Sequence, residues 1–362
     1  ASGAVIKTAN RTIEIKTQDS TDIVVLTGSQ FWGNPNTVIY FAIISGDSEE
    51  GQAALASYSI GVDAKIDTTP IQVSLDIKSP GKQFDGIGGN FRLQDPRNDP
   101  QVIDYCLENL NVTWGRVEMP WSSWHVDQNL NPLELARNGK LNIRVVQAME
   151  MAKTLAKKKM PVIVSAWSAP DWAIVGEHKW GVNSEGLRGN PLDQTKMRSI
   201  TKSIASYILF LKEKYGVEAS MFSFNESDLG INVRQTGAEH ADFIKTLGAE
   251  FASLGLSTKL LLGDNSDANT YSFVEEALND PETHKYIGAV SFHSWRGCDD
   301  WTLSIWNDIA TQINLPLLVG EGSTDAAAHS YPDIFLEESY ALNEIDTYIR
   351  ILSICQAKSI LQ

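Results

Sequence analysis

The chain has few basic residues, and it has no long apolar run. Lysine and arginine total 30 against 45 aspartate and glutamate residues, so the formal net charge is −15. Phosphate binding needs a basic face, so this balance argues against nucleic acid, and against an anionic membrane surface, as a partner. No run reaches the roughly 18 apolar residues of a membrane-spanning helix. The acidity is best explained by solubility, because net charge does not determine the fold.

Cysteine is also scarce. Cys106, Cys298 and Cys355 are the only three, too few and too scattered for a disulfide framework or a zinc site. No pair of histidines or aspartates has metal-ligand spacing, so we expect neither a metal nor a cofactor. The chain begins at Ala1 rather than Met. We interpret this as removal of a signal peptide or tag, and expect a secreted or periplasmic protein.

The 362 residues, 43% of them hydrophobic, are enough for two domains. Residues 1–80 contain short β-branched runs separated by Gly, Asn, Asp and Ser. This pattern predicts an antiparallel β domain resembling a sandwich, without a catalytic constellation. The predicted strands are 5–7, 12–16, 23–26, 38–44 and 71–77.

From about residue 83 the pattern changes to strand and helix in alternation, which predicts an α/β fold. The predicted strands are 83–89, 113–119, 161–167, 221–226, 259–264, 288–295, 316–321 and 358–362. Helical stretches between them include 141–158, 195–215 and 237–254. Eight strands with seven helical segments predict a (β/α)8 TIM barrel over residues 81–362. It ends in its eighth strand with no helix after it, which we interpret as a cut chain.

Two glutamates each stand at the end of an apolar run. Glu226 follows 221–225, and Glu321 follows 317–320. In a parallel barrel the C-terminal strand ends form the catalytic mouth, so both carboxylates are expected there. Two converging carboxylates are what a glycosidase needs. The alternative for Glu226 is an ordinary carboxylate of a surface loop.

Three polar residues accompany the glutamates. Asn225 directly precedes Glu226, and its amide could donate to a substrate hydroxyl. Arg116 lies inside an apolar strand and must be paired, either with a structural partner or with a catalytic carboxylate. His293 ends the sixth predicted strand, where it could orient Glu321, contact sugar, or be a satisfied core residue. Gly320 and Gly322 bracket Glu321, which predicts room for close approach of substrate.

Aromatic residues add a further signal. Nine of the ten tryptophans lie from Trp114 onward. Trp167, Trp172 and Trp295 follow or end predicted strands, so they are candidate platforms for sugar rings, whose C–H faces stack on indole. Core packing is the alternative for each of them. A carbohydrate is thus the expected partner.

Several motifs, in order, resemble one family. Phe84-Asp85-Gly86-Ile87-Gly88-Gly89, Arg116-Val117-Glu118-Met119-Pro120, Trp167-Ser168-Ala169-Pro170-Asp171-Trp172 and Asn225-Glu226 look like strand motifs of glycoside hydrolase family 30 in clan A. The resemblance implies a retaining mechanism with Glu226 as acid/base and Glu321 as nucleophile. The chain departs from the family at Gly320, where bulkier or hydroxylated residues are usual, and at Ser227, which replaces a common proline.

We therefore expect retaining hydrolysis of a β-linked glycoside by double displacement. This mechanism requires carboxyl groups about 5–5.5 Å apart, whereas roughly 6.5–9.5 Å indicates inversion. One alternative is a barrel that binds a glycan without cutting it. A weaker alternative is a barrel enzyme of another class, such as a metal-dependent lyase. The choice of sugar and linkage depends on the loops 121–140, 173–193 and 323–335.

Overall fold

The computed structural model describes residues 3–7, 11–17, 23–31, 34–41, 58–64, 78, 81–93, 95, 97, 99–179, 181–182 and 188–362. For residues 17, 23–31, 34–41 and 62–64 it describes the backbone alone. The chain divides into two compact units, Ala1–Lys78 and Ser79–Gln362. Each unit is described separately below.

The first unit is built from antiparallel strands. Gly3–Lys7, Arg11–Thr17 and Tyr58–Ala64 form one sheet, with Arg11–Thr17 in the middle, and Ile23–Phe31 pairs with Asn34–Phe41. The predicted antiparallel β character is confirmed, while the sandwich arrangement stays a prediction. Tyr58–Ala64 was missed because a glycine in mid-run weakens the strand pattern. The predicted strand 71–77 lies outside the described residues.

The second unit is a closed barrel of eight parallel strands, as predicted. The first and eighth strands pair, with Ile360 opposite Ile87, so the barrel closes although the eighth strand is short. Each strand lies within a few residues of its predicted position. In order, the strands are Gly86–Asn90, Gly115–Met119, Val162–Ala166, Met221–Phe224, Lys259–Asn265, Ile287–His293, Leu317–Glu321 and Ser359–Leu361.

Helices connect the strands, and local signals mark their ends. Asn142 caps one helix by accepting from the Arg144 N–H at 2.9 Å, and Thr236 forms a capping box with Glu239. The three predicted helices are confirmed to within two residues. The α-helices of the barrel unit are Asp99–Asn109, Trp121–Trp124, Pro132–Arg137, Ile143–Lys157, Met197–Tyr215, Gly237–Ser253, Glu275–Asn279, Pro281–His284, Asp300–Gln312 and Glu338–Arg350.

Shorter elements complete the connections. Asn190–Pro191 pairs with Val233–Arg234 in a small parallel sheet, and Ile351–Cys355 is a π-helical turn. Among the described residues, no helix is both long and apolar enough to cross a membrane. The 3₁₀ turns are Asp171–Ala173, Gln194–Lys196, Ala268–Val274, Ala328–Ser330 and Pro332–Leu336.

The barrel interior changes from apolar to polar along the strands. One buried cluster takes a residue from seven strand regions: Trp114, Ile163, Met221, Leu261, Ala289, Leu318 and Leu361. Because side chains alternate along a strand, the residues two positions later line the same interior one layer nearer the C-terminal mouth. This next layer contains Arg116, Ser165, Ser223, Ser291 and Gly320. The strand pattern thus places a buried polar layer directly beneath the mouth.

Candidate active site

Arg116 is the centre of this polar layer. It is 1% exposed, so its charge must be met within the barrel. Its Nη1 donates to Glu321 Oε1 at 2.8 Å and to Asn90 Oδ1 at 2.9 Å. Its Nη2 donates to Asp264 Oδ2 at 2.7 Å and to Asn225 Oδ1 at 2.6 Å. Arg116 therefore pairs with a carboxylate at the barrel mouth, as one of its two predicted alternatives required, and this carboxylate is Glu321.

Asp264 is a second partner of Arg116 that the sequence analysis missed. It lies near the end of the fifth strand and is completely buried. Burial alone would raise the pKa of this carboxyl, but the charge of Arg116 and hydrogen bonds from His293 and Ser223 lower the pKa well below its usual range. An ionised carboxylate therefore stands inside the barrel. Its signal in the sequence was an acid closing the apolar run 260–263.

Glu226 and Glu321 both reach the mouth. Glu226 follows the fourth strand and is 9% exposed. Its φ of 50° is in the left-handed region, as is the φ of 69° at Asp264, and such strain in residues with a side chain is typical of functional sites. The Glu226 N–H donates to the Asp264 carbonyl at 3.1 Å, which joins the two strained positions. Glu321 ends the seventh strand with 19% of its side chain exposed.

His293 lies between these acids and is completely buried. Its Nδ1 is 2.9 Å from Glu226 Oε1 and 3.6 Å from Glu321 Oε2, and its Nε2 is 3.1 Å from Asp264 Oδ1. Burial alone would lower the pKa of His293, but the charge of Glu321 and the hydrogen bonds to Asp264 and Glu226 raise it to about 10. One expectation from the sequence was that His293 orients Glu321, whereas the hydrogen bond of His293 goes to Glu226.

The two glutamates converge closely. One side-chain oxygen of each, together with a ring nitrogen of His293, lies within 4.8 Å of the others. Burial first, and then the charges of Glu321 and Asp228, raise the pKa of Glu226 against the opposing effect of His293. A cation could be held by such a trio only through a neutral imidazole. The Asp264 carboxylate beside Nε2 and the glutamate oxygens beside Nδ1 favour a protonated ring there instead.

Asn225 has one end fixed and the other available. A guanidinium only donates, so the contact with Arg116 requires the side-chain oxygen of Asn225 to face it. The amide nitrogen is then directed away from Arg116, and it has no hydrogen-bond partner in the described part of the chain. This arrangement suits the predicted donation to a substrate hydroxyl.

The three predicted sugar platforms differ in their surroundings. Trp167 is 7% exposed, and the guanidinium carbons of Arg92 and Arg116 lie over its ring at 4.5 and 4.6 Å from the centroid. Trp172 is half-buried, donates to the His125 carbonyl at 2.7 Å and packs edge-on against Trp121. Trp295 is half-buried after the sixth strand. Trp167 is thus mainly a support for the two arginines, while the platform role of the other two stays a prediction.

The glycines around Glu321 make room for protein atoms rather than for substrate, which corrects the expectation from sequence. A Cβ at Gly320 would lie 2.5 Å from Asp264 Oδ1 and 2.9 Å from Ser291 Oγ. A Cβ at Gly322 would lie 2.4 Å from Ile360 Cγ2. The departure from the family at Gly320 is therefore explained by the buried aspartate beside it.

Gly320→Ala is expected to impair both stability and any activity of the site. The added methyl overpacks a rigid interior, which costs about 1–3 kcal/mol of unfolding free energy, and it displaces Asp264. Denaturant titration measures the first effect and turnover of a glycoside the second. Gly81→Ala is the matched control, because its Cβ would meet its nearest neighbour at an ordinary 3.9 Å. An alanine variant at position 320 with native stability would show that the interior has spare room.

Comparison with known proteins identifies the family. The family model described as "Glycosyl hydrolase family 30 TIM-barrel domain" matches residues 121–324, which is more than half of the chain. The chain belongs to glycosyl hydrolase family 30. A protein of Caenorhabditis elegans, named as a candidate glucosylceramidase 1, is 25% identical to this family 30 chain over 250 residues. The match covers 61% of the chain and 45% of that relative, so the chain spans less than half the length of the curated relative.

Solved structures share the barrel. A family 30 endoxylanase from Clostridium papyrosolvens superposes with a TM-score of 0.57 at 13% identity, over 77% of this chain and 65% of that one. SrfJ from Salmonella typhimurium superposes with a TM-score of 0.58 at 17% identity, over 77% of this chain and 64% of that one. At these identities the likeness establishes the fold alone.

Proposed function

We propose that this family 30 chain hydrolyses β-linked glycosides with retention of configuration, using Glu226 and Glu321. The observation that carries the proposal is the spacing of the two carboxylates, whose nearer oxygens are within 4.8 Å. Retaining enzymes hold their carboxyl groups about 5–5.5 Å apart, and inverting enzymes need roughly 6.5–9.5 Å for an intervening water. The short gap favours direct attack by one carboxylate on the sugar.

In the first step Glu321 is the nucleophile. Its carboxylate oxygen forms a bond to the anomeric carbon while the bond to the leaving oxygen breaks. Glu226 gives its proton to that oxygen, so the aglycone departs as a neutral alcohol. Arg116 donates to Glu321 at 2.8 Å and holds its carboxylate in place for the attack. The result is a glycosyl ester on Glu321 and a carboxylate on Glu226.

In the second step water replaces the ester. Glu226, now a base, takes a proton from water as the water oxygen attacks the anomeric carbon, and Glu321 leaves as a carboxylate. Asn225 is positioned to donate from its amide nitrogen to the hydroxyl next to the reacting carbon. Its hydrogen bond from Arg116 couples this contact to the nucleophile. Each glutamate regains its starting protonation state.

The environments of the two acids support their different roles. Glu226 is the more buried, and burial raises its pKa, which favours the protonated form that the first step needs. Glu321 is more open and lies against a guanidinium. This separation is the arrangement expected of an acid and a nucleophile that share one site.

The substrate class is a carbohydrate, and the names of similar proteins bear on it. The C. elegans relative is named as a glucosylceramidase and the Clostridium structure as an endoxylanase. Both names denote cleavage of glycosidic bonds, which supports a glycoside as the substrate here. Trp172 and Trp295 are our candidates for contact with the sugar rings. A barrel that binds a glycan without cutting it is the competing function.

Stereochemistry of the product tests the proposal. A panel of aryl β-glycosides, including glucoside and xyloside, is incubated with the protein, and the first-formed sugar is observed by proton NMR. We expect the β-anomer to be released first and to mutarotate afterwards. First release of the α-anomer would indicate inversion. No release from any member of the panel would favour the binding function.

A further inference from the structure

Asp264 and His293 are buried ionisable residues to which the double-displacement mechanism gives no role. Asp264 contacts Arg116, and His293 contacts Glu226. The pair therefore links the group that holds the nucleophile to the group that holds the acid/base. The two are joined directly through His293 Nε2 and Asp264 Oδ1 at 3.1 Å. Burying ionisable groups costs free energy because they lose their hydration, so we expect the Asp264–His293 pair to have a function.

We propose that Asp264 is a positioning residue that keeps His293 in its imidazolium form, so that one N–H group faces both catalytic glutamates and stabilises whichever carries the negative charge. The inference rests on the proposed double-displacement function. Asp264 itself touches no substrate atom in this arrangement, because it lies beneath the mouth with no exposed surface. It acts through His293 and Arg116.

The donor and acceptor pattern around the ring supports a doubly protonated imidazole. Asp264 is surrounded by donors: Arg116 at 2.7 Å, Ser223 at 2.7 Å and His293. An ionised carboxylate only accepts, so the His293 Nε2 beside it carries a hydrogen. On the other side Nδ1 lies 2.9 Å from Oε1 of Glu226 and 3.6 Å from the Glu321 carboxylate. A protonated Glu226 still accepts from Nδ1–H when Oε1 is its carbonyl oxygen and its other oxygen carries the proton. Both nitrogens thus face acceptors.

The charged groups around His293 come from several strands. Glu226, Asp264 and Glu321 face the ring from the fourth, fifth and seventh strands. Asp267, beyond the fifth strand, also acts on the ring through its charge but forms its ion pair with Arg296. The charges of Glu321 and Asp264, together with the hydrogen bonds to Asp264 and Glu226, account for the raised pKa of His293 despite its burial. Arg116 is the other buried cation of the site.

In this proposal the net charge of the buried site stays constant through the reaction. In the free site the two cations Arg116 and His293 balance the carboxylates of Asp264 and Glu321, while Glu226 keeps its proton. In the glycosyl ester Glu321 is neutral, and Glu226 has lost its proton to the leaving oxygen. The negative charge has moved from one glutamate to the other, and His293 Nδ1 lies against both. A buried site whose total charge does not change avoids a large solvation cost at each step.

The protonation state of His293 is measured directly by NMR. The two imidazole nitrogens have similar ¹⁵N shifts in the imidazolium form and widely different shifts in the neutral form, and the His293→Gln variant assigns the signal. We expect His293 to remain imidazolium through pH 8 in the native protein. In Asp264→Asn we expect His293 to lose its proton at a lower pH than in the native protein, and we expect about a 100-fold fall in kcat/KM for aryl glycosides.

Controls separate charge from structure. Asp267→Asn is the matched control, because it removes a nearby carboxylate that does not touch the ring, and His293 should stay protonated. Should Asp264→Asn not fold, the native titration alone decides, since a neutral His293 at pH 7 overturns the proposal. A second measurement uses native protein esterified by an activated 2-deoxy-2-fluoro aryl glycoside. There too His293 should remain imidazolium, and deprotonation on ester formation contradicts the constant charge.

Failure of the two proposals can be told apart. The titration of the free protein needs no turnover. An imidazolium His293 in a protein that releases no sugar supports the charge arrangement and overturns the proposed hydrolysis. A neutral His293 in an active retaining enzyme overturns the charge arrangement alone.

Discussion

Replacing Glu321 by alanine is expected to lower kcat/KM for aryl β-glycosides by at least about 10⁴-fold, the order seen when a covalent nucleophile is removed. The cavity left at the end of the seventh strand lies beside Arg116, which has lost its carboxylate partner at 2.8 Å. A small anion such as azide can occupy that position and attack the anomeric carbon from the same face. We expect azide to restore part of the turnover and to give a glycosyl azide of the α configuration.

The control for this variant is Glu108→Ala, an exposed glutamate in the last turn of the helix Asp99–Asn109, which should leave kcat/KM unchanged with or without azide. Product analysis by NMR distinguishes rescue from contamination, because contaminating native enzyme forms no glycosyl azide. Retention of more than a small fraction of native activity in Glu321→Ala would remove Glu321 from the nucleophile role. The site would then need another carboxylate, and Asp264 is too deeply buried to reach a sugar.

The barrel and the positions of its acids could be predicted because both depend on local sequence. An apolar run that ends in a charged residue is a strand that delivers this residue to the mouth, and Glu226 and Glu321 both follow that pattern. Arg116 was recognisable for a related reason, since a cation within an apolar strand demands a partner. The ends of the predicted helices also depend on local sequence, since Asn142 and Thr236 cap two of them.

The contacts inside the barrel could not be predicted in the same way, because they depend on how eight strands are staggered when the barrel closes. Asp264 and Gly320 lie on different strands, and only the closed barrel brings the carboxylate to where a side chain at 320 would stand. The partner of His293 was likewise ambiguous from sequence order. The register between the sixth and seventh strands shifts at Phe292/His293. The His293 ring hydrogen-bonds to Glu226 on the fourth-strand side, although Glu321 is its partner on the adjacent strand.

Replacing Glu226 by glutamine is expected to have an effect that depends on the leaving group. For a glycoside with a poor leaving group, loss of the proton donor should lower kcat/KM by about 10²–10⁴-fold. For a dinitrophenyl glycoside, whose phenolate departs without protonation, kcat/KM should be nearly native. The second step still lacks its base, so a burst of phenolate should precede slow turnover. Rapid-mixing absorbance measurements detect this burst.

The pH dependence provides the internal control for Glu226→Gln. In the native enzyme the first step requires protonated Glu226, so kcat/KM falls as pH rises through its pKa. Burial raises that pKa above the ordinary value for glutamate, which moves the fall to higher pH. Glutamine does not titrate, so this alkaline fall should be absent from the variant. If the alkaline fall persists in the variant, Glu226 is not the acid. The same conclusion follows if glycosides with poor and good leaving groups are slowed equally. Only proton donation to the departing oxygen makes the loss of activity depend on the basicity of that oxygen.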